Sequence, residues 1–408
     1  MAWAAVVRAV NALAGRWADA LLPVEAATTD TVFSPVGVWP LLATLAAGAD
    51  GAAREELEQA VGLRAGDAMA GARDLLASLR RLPGVSAALG VWIRERLELE
   101  PGWALTLPEH TLGRLSGDPA VDQPRLDAWA KRSTDGRIPQ LPIRVAEDTP
   151  LALVSGLLAR TRWLQPFWDA SHVVEHGPWA GKDVAALLRS TSLLDRAAVL
   201  QTPDGPVTEL RVLGVGGIDV HLLLGEADAA PASVLRAGLD VLARPRARLG
   251  ADVLPLGEVG PGLVVSYERS LDREPNLMAT VVPFDIRNDH DLLAHRAPFG
   301  LTSAADGTRS HFSGIGRGEP LAVGSARQSA TTRFTATGFE AAAVTAVGAV
   351  AVGLSPRPVH RVKQVDVTFD RPHGFLAVHR TSRLVLAAGW AGTARDFDGY
   401  GRAFTSPD

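Results

Sequence analysis

The chain contains no cysteine in 408 residues. Disulfides, thiolate nucleophiles, zinc–thiolate centres and iron–sulfur clusters are therefore excluded. No apolar run reaches the roughly 20 residues that a membrane-spanning helix needs. Lysine is almost missing: Lys131, Lys182 and Lys363 are the only three, and arginine carries the rest of the basic charge. The net charge is −4 and the pI near 6.2, so there is no basic footprint for nucleic acid. Cofactor motifs are missing as well. Gly214-Val215-Gly216-Gly217 and Gly314-Ile315-Gly316-Arg317-Gly318 are glycine-rich, but Asp219 and Glu319 stand where a phosphate loop would need its last glycine. Both read as turns. The G-x-S-x-G nucleophile elbow does not occur. His172 and His176 have the spacing of a helical metal pair, but Val173 and Val174 between them favour a strand, which spreads the rings. Arg244, Arg246 and Arg248 alternate around Pro245 and read as a solvated loop rather than a polyanion site. The expectation is a protein with no cofactor, no metal, no nucleic-acid partner and no membrane partner.

What is present is an ordinary globular composition, 47% apolar and 21% charged. Val6, Val10, Leu13, Trp17 and Leu21 step by three or four and predict a core-packed first helix rather than a targeting segment. That favours the cytoplasm, with an extracellular location as the alternative. Phe33-Ser34-Pro35 opens a second helix, with Ser34 as cap, Pro35 in its first turn and Pro40 expected to kink it. Helices are also predicted over Arg54–Val61, Arg73–Arg81, Pro124–Thr134 and Ala232–Leu242. Strands are predicted over Val85–Ile93, Leu151–Leu158, Leu210–Val215, Ile218–Leu224, Leu277–Phe284, Val365–Phe369, Phe375–Val378 and Leu384–Ala388. Helices early and strands late indicate an α+β fold.

The most informative segment runs from Gly338 to Val352. Small and β-branched residues dominate it, and Glu340 is its only charge. It is too apolar for a surface loop and too small-sided for a core helix. As a strand it could enter a sheet with little steric demand, with Phe339, Ala341, Ala343 and Thr345 on one face.

Here the sequence resembles the serpin family, from residue 5 to about 392. The resemblance is carried by the hinge-like run Gly338, Phe339, Glu340, Ala341, Ala342, Ala343, Val344, Thr345, Ala346 and by Phe312-Ser313-Gly314-Ile315 with Glu319-Pro320-Leu321. Phe33-Ser34-Pro35 with Gly48-Ala49-Asp50-Gly51, Trp129 with Thr134-Asp135-Gly136-Arg137-Ile138, Trp163 with Pro166-Phe167, and the hairpin from Arg371-Pro372 to Gly389 complete it in the family's order. The resemblance implies one domain over residues 1–392, with about nine helices, three β-sheets and an exposed reactive-centre loop near 338–361. Thr393 to Asp408 reads as a polar tail.

The implied function is inhibition of a serine protease by a monomeric suicide substrate. The protease attacks the loop, an acyl-enzyme forms, and the hinge side of the loop inserts into the central sheet and disables the attached enzyme. The inhibitor supplies no catalytic residue. Counting from Gly338 at the family's spacing puts the scissile bond at Val352-Gly353, which suits an elastase-like pocket. Leu354 would suit a chymotrypsin- or subtilisin-like enzyme, and Arg357 a trypsin-like one, although Pro358 follows it.

Several positions depart from the family pattern. Phe339 stands where a small Thr or Ser is usual, and an overpacking cost of about 1.4 kcal/mol at the insertion step would slow it tenfold, unless a pre-shaped pocket removes that cost. Gln328 replaces a histidine, Ser155 an asparagine, Gly37 a serine and Phe284 a basic residue, while Ala336 lacks an acid. These changes keep open the alternative of a non-inhibitory serpin-fold binding protein.

Overall fold

The opening stripe folds as its spacing predicts. In the computed structural model, α1 (Trp3–Leu21) buries Val6, Val10, Leu13 and Trp17 on one face. Residues 3–108, 110–134, 136, 140, 146–147, 149–244, 247–317, 320–339 and 360–397 are described.

In chain order there follow β1 (Thr31–Phe33), α2 (Pro35–Gly48), α3 (Gly51–Val61), α4 (Ala65–Arg81), β2 (Val85–Arg94), β3 (Glu98–Leu99), α5 (Pro101–Ala104), β4 (Leu112–Leu115) and α6 (Pro119–Ser133). The middle of the chain contributes β5 (Leu151–Ala159), β6 (Thr161–Arg162), β7 (Trp168–Val173), β8 (Asp183–Thr191), β9 (Ala197–Thr202), β10 (Gly205–Val212), β11 (Ile218–Leu224) and α7 (Pro231–Ala243). The last part contributes β12 (Arg248–Gly250), β13 (Gly257–Gly260), β14 (Leu263–Ser270), β15 (Asn276–Val281), β16 (Phe284–Asp291), α8 (Arg296–Phe299), β17 (Gly316–Arg317), β18 (Val323–Phe334), β19 (Gly338–Phe339), β20 (His360–Phe369), β21 (His373–His379) and β22 (Leu384–Ala391).

Three large sheets result, in orders β1-β22-β21-β11-β10-β9-β12, β13-β14-β20-β15-β8-β7, and β4-β2-β5-β18-β19-β6 with β16 on β18. β17 and β3 form a small separate pair. This is the α+β architecture the sequence implied, with eight α-helices among the described residues.

The departures from expectation have local causes. α2 runs through Pro40 without a break, because the helix is buried almost all round and core packing outweighs the missing hydrogen bond. Ser34 precedes it but does not cap it, since its hydroxyl donates to the carbonyl of Leu386 at 2.7 Å. α6 begins five residues earlier than predicted, with Asp118 accepting from the Ala120 amide at 2.9 Å and Pro124 inside the helix. The strand predicted over Leu277–Phe284 is two strands in two sheets, divided at Pro283, which has no amide for a ladder. Residues 395–397 of the expected tail hydrogen-bond to the start of β8: the Ala185 amide donates to Arg395 O and the Phe397 amide to Asp183 O, each at 2.9 Å. Residues 398–408 lie outside the described residues.

Candidate functional site

The largest mixed sheet contains a seam. β2 runs antiparallel to β5, and β16 antiparallel to β18. Between them β5 and β18 are parallel, paired from Val323 opposite Leu151 to Ala330 opposite Leu157 with one shift of register between Val323 and Ser325. A parallel ladder is slightly weaker per residue than an antiparallel one. A strand placed in this seam in the opposite direction would be antiparallel to both neighbours.

The chain enters the top of this seam at the predicted hinge. After β18, Thr335 to Gly338 make a tight turn in which the Thr335 amide donates to Gly338 O at 2.9 Å. Gly338 and Phe339 then form β19, with Phe339 opposite Phe334 on β18 and opposite Thr161 on β6. Glycine is required at 338 because a Cβ there would lie 2.4 Å from the carbonyl oxygen of Thr161. The turn is pinned from the other side. Trp163 Nε1 donates to Thr335 O at 2.8 Å, the Trp163 amide to Thr337 O at 3.0 Å and the Phe167 amide to Ala336 O at 2.8 Å.

Phe339 is 1% exposed. Its ring meets Phe375 at 6.4 Å, Phe375 stacks on Phe284 at 4.7 Å, and Phe284 stacks on Phe334 at 5.3 Å. Trp163 and Phe167 close the cluster against Phe334 at 4.9 and 5.7 Å. Burying a side chain of this size is worth roughly 1.5–3 kcal/mol. The ring expected to obstruct insertion is thus already housed before any insertion takes place.

Lower in the seam, Gln328 of β18 is fully buried opposite Ser155 of β5. Its Oε1 accepts from the Ser34 amide at 2.7 Å, and its Nε2 donates to Ser34 O at 2.8 Å and to Ser155 Oγ at 3.3 Å. One side chain therefore ties both seam strands to the start of α2. Gly37 makes room for it, since a Cβ there would sit 2.5 Å from Ser155 Oγ and 2.8 Å from Gln328 Nε2.

This arrangement can be set beside known proteins. The family model described as Serpin (serine protease inhibitor) matches residues 9–176 and 269–391. The chain belongs to the serpin family. It is 26% identical over 387 residues to putative serpin-Z5 of Oryza sativa subsp. japonica, covering 88% of this chain and 83% of that one. It is 24% identical to plasminogen activator inhibitor 1 of Bos taurus, covering 88% and 86%. The native-state crystal structure of the thermophilic serpin Tengpin superposes with a TM-score of 0.72 at 13% identity, over 95% of this chain and 94% of that one, which shows the shared fold.

The departures from the serpin pattern assemble into two compensated groups. Gly37, Ser155 and Gln328 are one contact group, in which a longer amide occupies the volume a serine side chain at 37 would need. At the top, Phe284 lies within the aromatic cluster and Ala336 within the pinned turn, two apolar side chains where the resemblance led to the expectation of a charged pair. Replacing both partners of a buried ion pair by well-packed apolar groups is often neutral or stabilising.

Of the other predicted site residues, Glu340, Ala341, Ala342, Ala343, Val344, Thr345 and Ala346 lie outside the described residues, as do Val352, Gly353, Leu354 and Arg357. His172 lies on β7 and His176 beyond its end, and no metal-ligand cluster occurs among the described residues. The glycines at 214–217 form a turn held by Asp219, which accepts from the Gly214 amide at 3.1 Å and pairs with Arg380 at 2.6 Å. The arginine trio does not share one surface. Arg244 is exposed beside Asp240, Arg246 lies outside the described residues, and Arg248 is not on a solvated loop but ion-paired to the fully buried Glu209. Burial pushes Glu209 up, but the His221 hydrogen bond and the charges of His221 and Arg248 outweigh it and hold the carboxyl at about 2. Near the hinge, burial aided by Arg196 lowers the Arg189 guanidinium to about 10, and it stacks 4.3 Å over the Phe167 ring.

Sequence reasoning allowed for a pocket around Phe339 but did not identify the residues that form it; the aromatic side chains Phe284, Phe334 and Phe375 were the available signal.

Proposed function

We propose that this serpin is a suicide-substrate inhibitor of a serine protease, acting by loop cleavage, acyl-enzyme trapping and insertion of the hinge side of the loop between β5 and β18. The observation that carries this reading is β19. The hinge is already a two-residue strand at the mouth of a parallel seam, directed antiparallel to β18. Continuing it downward replaces one parallel ladder by two antiparallel ones and adds ladder hydrogen bonds without reversing the chain. The native state is then metastable and held by kinetics rather than by equilibrium.

The sequence reading places the scissile bond at Val352-Gly353, for an elastase-like enzyme, with Leu354 and Arg357 as the other positions to test. The protease provides the nucleophile, base and oxyanion hole. Incubation with elastase-, chymotrypsin-, subtilisin- and trypsin-like proteases, followed by denaturing gels and intact mass, tests this. A denaturation-resistant adduct with release of the C-terminal peptide is expected, and the peptide mass locates the bond. Clean cleavage without an adduct across the panel would overturn inhibition in favour of a non-inhibitory binding role.

A further inference from the structure

The mixed sheet has an uncovered edge where β2 begins. β2 pairs with β5 from Val85 to Ile93, but on its other side β4 reaches it only from Val91 to Arg94. The Val91 amide donates to Thr111 O at 2.7 Å on that side. By alternation along the strand, the backbone N–H and C=O groups of Ala87 and Leu89 point the same way. No strand of the described residues pairs with them there. The chain before β4 is turned off the edge at His110, which has φ +66°, and Trp129 Nε1 donates to His110 O at 2.9 Å. The bare edge lies in a cleft of about 720 Å³ between the last turns of α4 and α6. Leu76 and Leu79 of α4 line one side of the sheet, and Trp92 of β2 with Trp129 of α6 the other. The two indoles meet edge to face at 5.7 Å. Gly113 lets Trp92 lie over β4, since a Cβ there would sit 2.3 Å from its ring. Trp92 is 6% exposed, and its Nε1, beside Gly90, has no hydrogen-bond partner among the described residues. Arg114 and the exposed Arg132 belong to the lining, and no carboxylate stands among the described residues that form it.

We infer that this cleft docks an extended acidic peptide of a partner protein, added to the sheet as a strand beside Val85–Gly90. An open strand edge is a template for another chain, because its peptide groups are unpaired. Strand addition takes affinity from main-chain hydrogen bonds and specificity from places for alternate side chains. Both are present. The peptide groups of Ala87 and Leu89 supply two donors and two acceptors, and the uncovered stretch spans about 20 Å at about 3.3 Å per residue. Alternate side chains of the added strand would meet the leucines of α4 and the indoles of Trp92 and Trp129. An oxygen of the peptide would give Trp92 Nε1 the acceptor it lacks. Carboxylates are selected by Arg114 and Arg132, with no acid among the described lining residues to repel them. A small free anion could use the arginines but would leave the peptide edge unpaired.

The probe is a display library of random hexapeptides selected on the full chain. Enrichment of sequences that carry Asp or Glu together with apolar residues is expected. An enriched peptide, made synthetically, should slow hydrogen exchange of the Ala87 and Leu89 amides and leave β20 unchanged. Two methylated forms of it test the strand geometry. Methylation of alternate backbone nitrogens should abolish binding in one form, whose nitrogens face β2, and change it less than twofold in the other. Arg132→Glu should weaken binding by about tenfold or more. Ala87→Pro removes an edge N–H that takes no part in the β5 ladder and should weaken it as well; should that variant fail to fold, the methylated peptides carry the test. Failure to enrich acidic sequences, equal effects of the two methylations, or binding unchanged by Arg132→Glu overturns the inference. So does slow exchange at Ala87 and Leu89 in a dimer without peptide, which would assign the edge to a second copy of this chain.

Discussion

The two ends of residues 340–359 are anchored in contrasting ways. The N-terminal end is a two-residue strand whose hold comes from one buried aromatic ring and a turn pinned by Trp163. The C-terminal end is a ten-residue strand with a ladder on each side. Side-chain burial is non-directional and survives when a strand is lengthened beneath it, whereas a ladder fixes register residue by residue. On the proposed insertion reading, the end that would extend is held by packing and the end that would stay is held by hydrogen bonds. Between them lies the seam, closed by the parallel β5–β18 ladder and bridged to the start of α2 by Gln328.

The largest effect should come from breaking that closure. Gln328→Ala strands the buried amide of Ser34, removes one of the donors to its carbonyl, which keeps the Gly37 amide at 3.2 Å, and leaves a cavity. The expected loss is about 3–5 kcal/mol in urea unfolding. The comparison is sharpened by hydrogen exchange on the same variant: amides of β5 and β18 should exchange faster, while those of β20 should not. Equal acceleration at both places would mean that the two ends are not independent.

The next effect is one of pH, at the point where the two ends meet. His373 is fully buried between Phe369, at the end of β20, and Phe284, in the hinge cluster, at ring distances of 5.2 and 6.2 Å. Burial lowers it to about 4, against the opposing effects of its hydrogen bond to Arg371 O and the charge of Asp30; the Arg371 charge lowers it further. The folded state therefore refuses a proton that the unfolded chain accepts near 6.5. Stability is complete above pH 6.5 and is lost as pH falls from 6.5 to 4, at up to about 1.4 kcal/mol per pH unit. Glu209 works in a different window: its depressed pKa stabilises above 4.5, and that contribution disappears between 4.5 and 2. Urea unfolding at pH 7 and pH 4.5 should show a difference that His373→Phe cuts by at least half. His290 and His379, both lowered mainly by burial, account for a residual slope.

Much of this was legible in the sequence, and the illegible parts share a cause. The stripe of α1, the buried run of β5 and the terminal hairpin β21–β22 follow from local periodicity and turns. Gly338 was identified from a motif, and the structure supplies its reason in the approach of Thr161 O. The unbroken course of α2 through Pro40 was not legible, because a long-range core decides it. The hinge pocket was not legible either. Phe339, Phe375 and Phe284 are far apart in sequence, and Phe339 read alone looked like an obstruction. The β13–β14 hairpin escaped because Gly257–Ser270 offers short strands with two exposed apolar residues, Val264 and Tyr267, and no clean alternation.

A smaller effect tests whether the seam substitutions are one unit. Gly37→Ser places a Cβ within 2.5 Å of Ser155 Oγ and should cost about 1–3 kcal/mol through overpacking. In a Gln328→Ala background the close contact with Gln328 Nε2 is gone and the Ser155 hydroxyl has room to turn away, so the same substitution should cost at least about 1 kcal/mol less. Additive costs in this double-mutant cycle would show that positions 37 and 328 changed independently.

The smallest expected change concerns Phe339 and the partition between trapping and turnover. Were the ring to enter the sheet only during insertion, Phe339→Ala would relieve a barrier and raise the trapped fraction, by about tenfold for each 1.4 kcal/mol. In this structure the ring is buried before insertion, against Phe375, and nothing in extending β19 downward requires it to leave. The substitution should then destabilise the native and inserted states alike. Urea unfolding should fall by about 3 kcal/mol, as for other large-to-small changes in a core. The number of inhibitor molecules consumed per protease trapped should move less than twofold. A large fall in that number would mean that Phe339 leaves its pocket on the way in, and the hinge would then be held, like the other end, by a contact that must break.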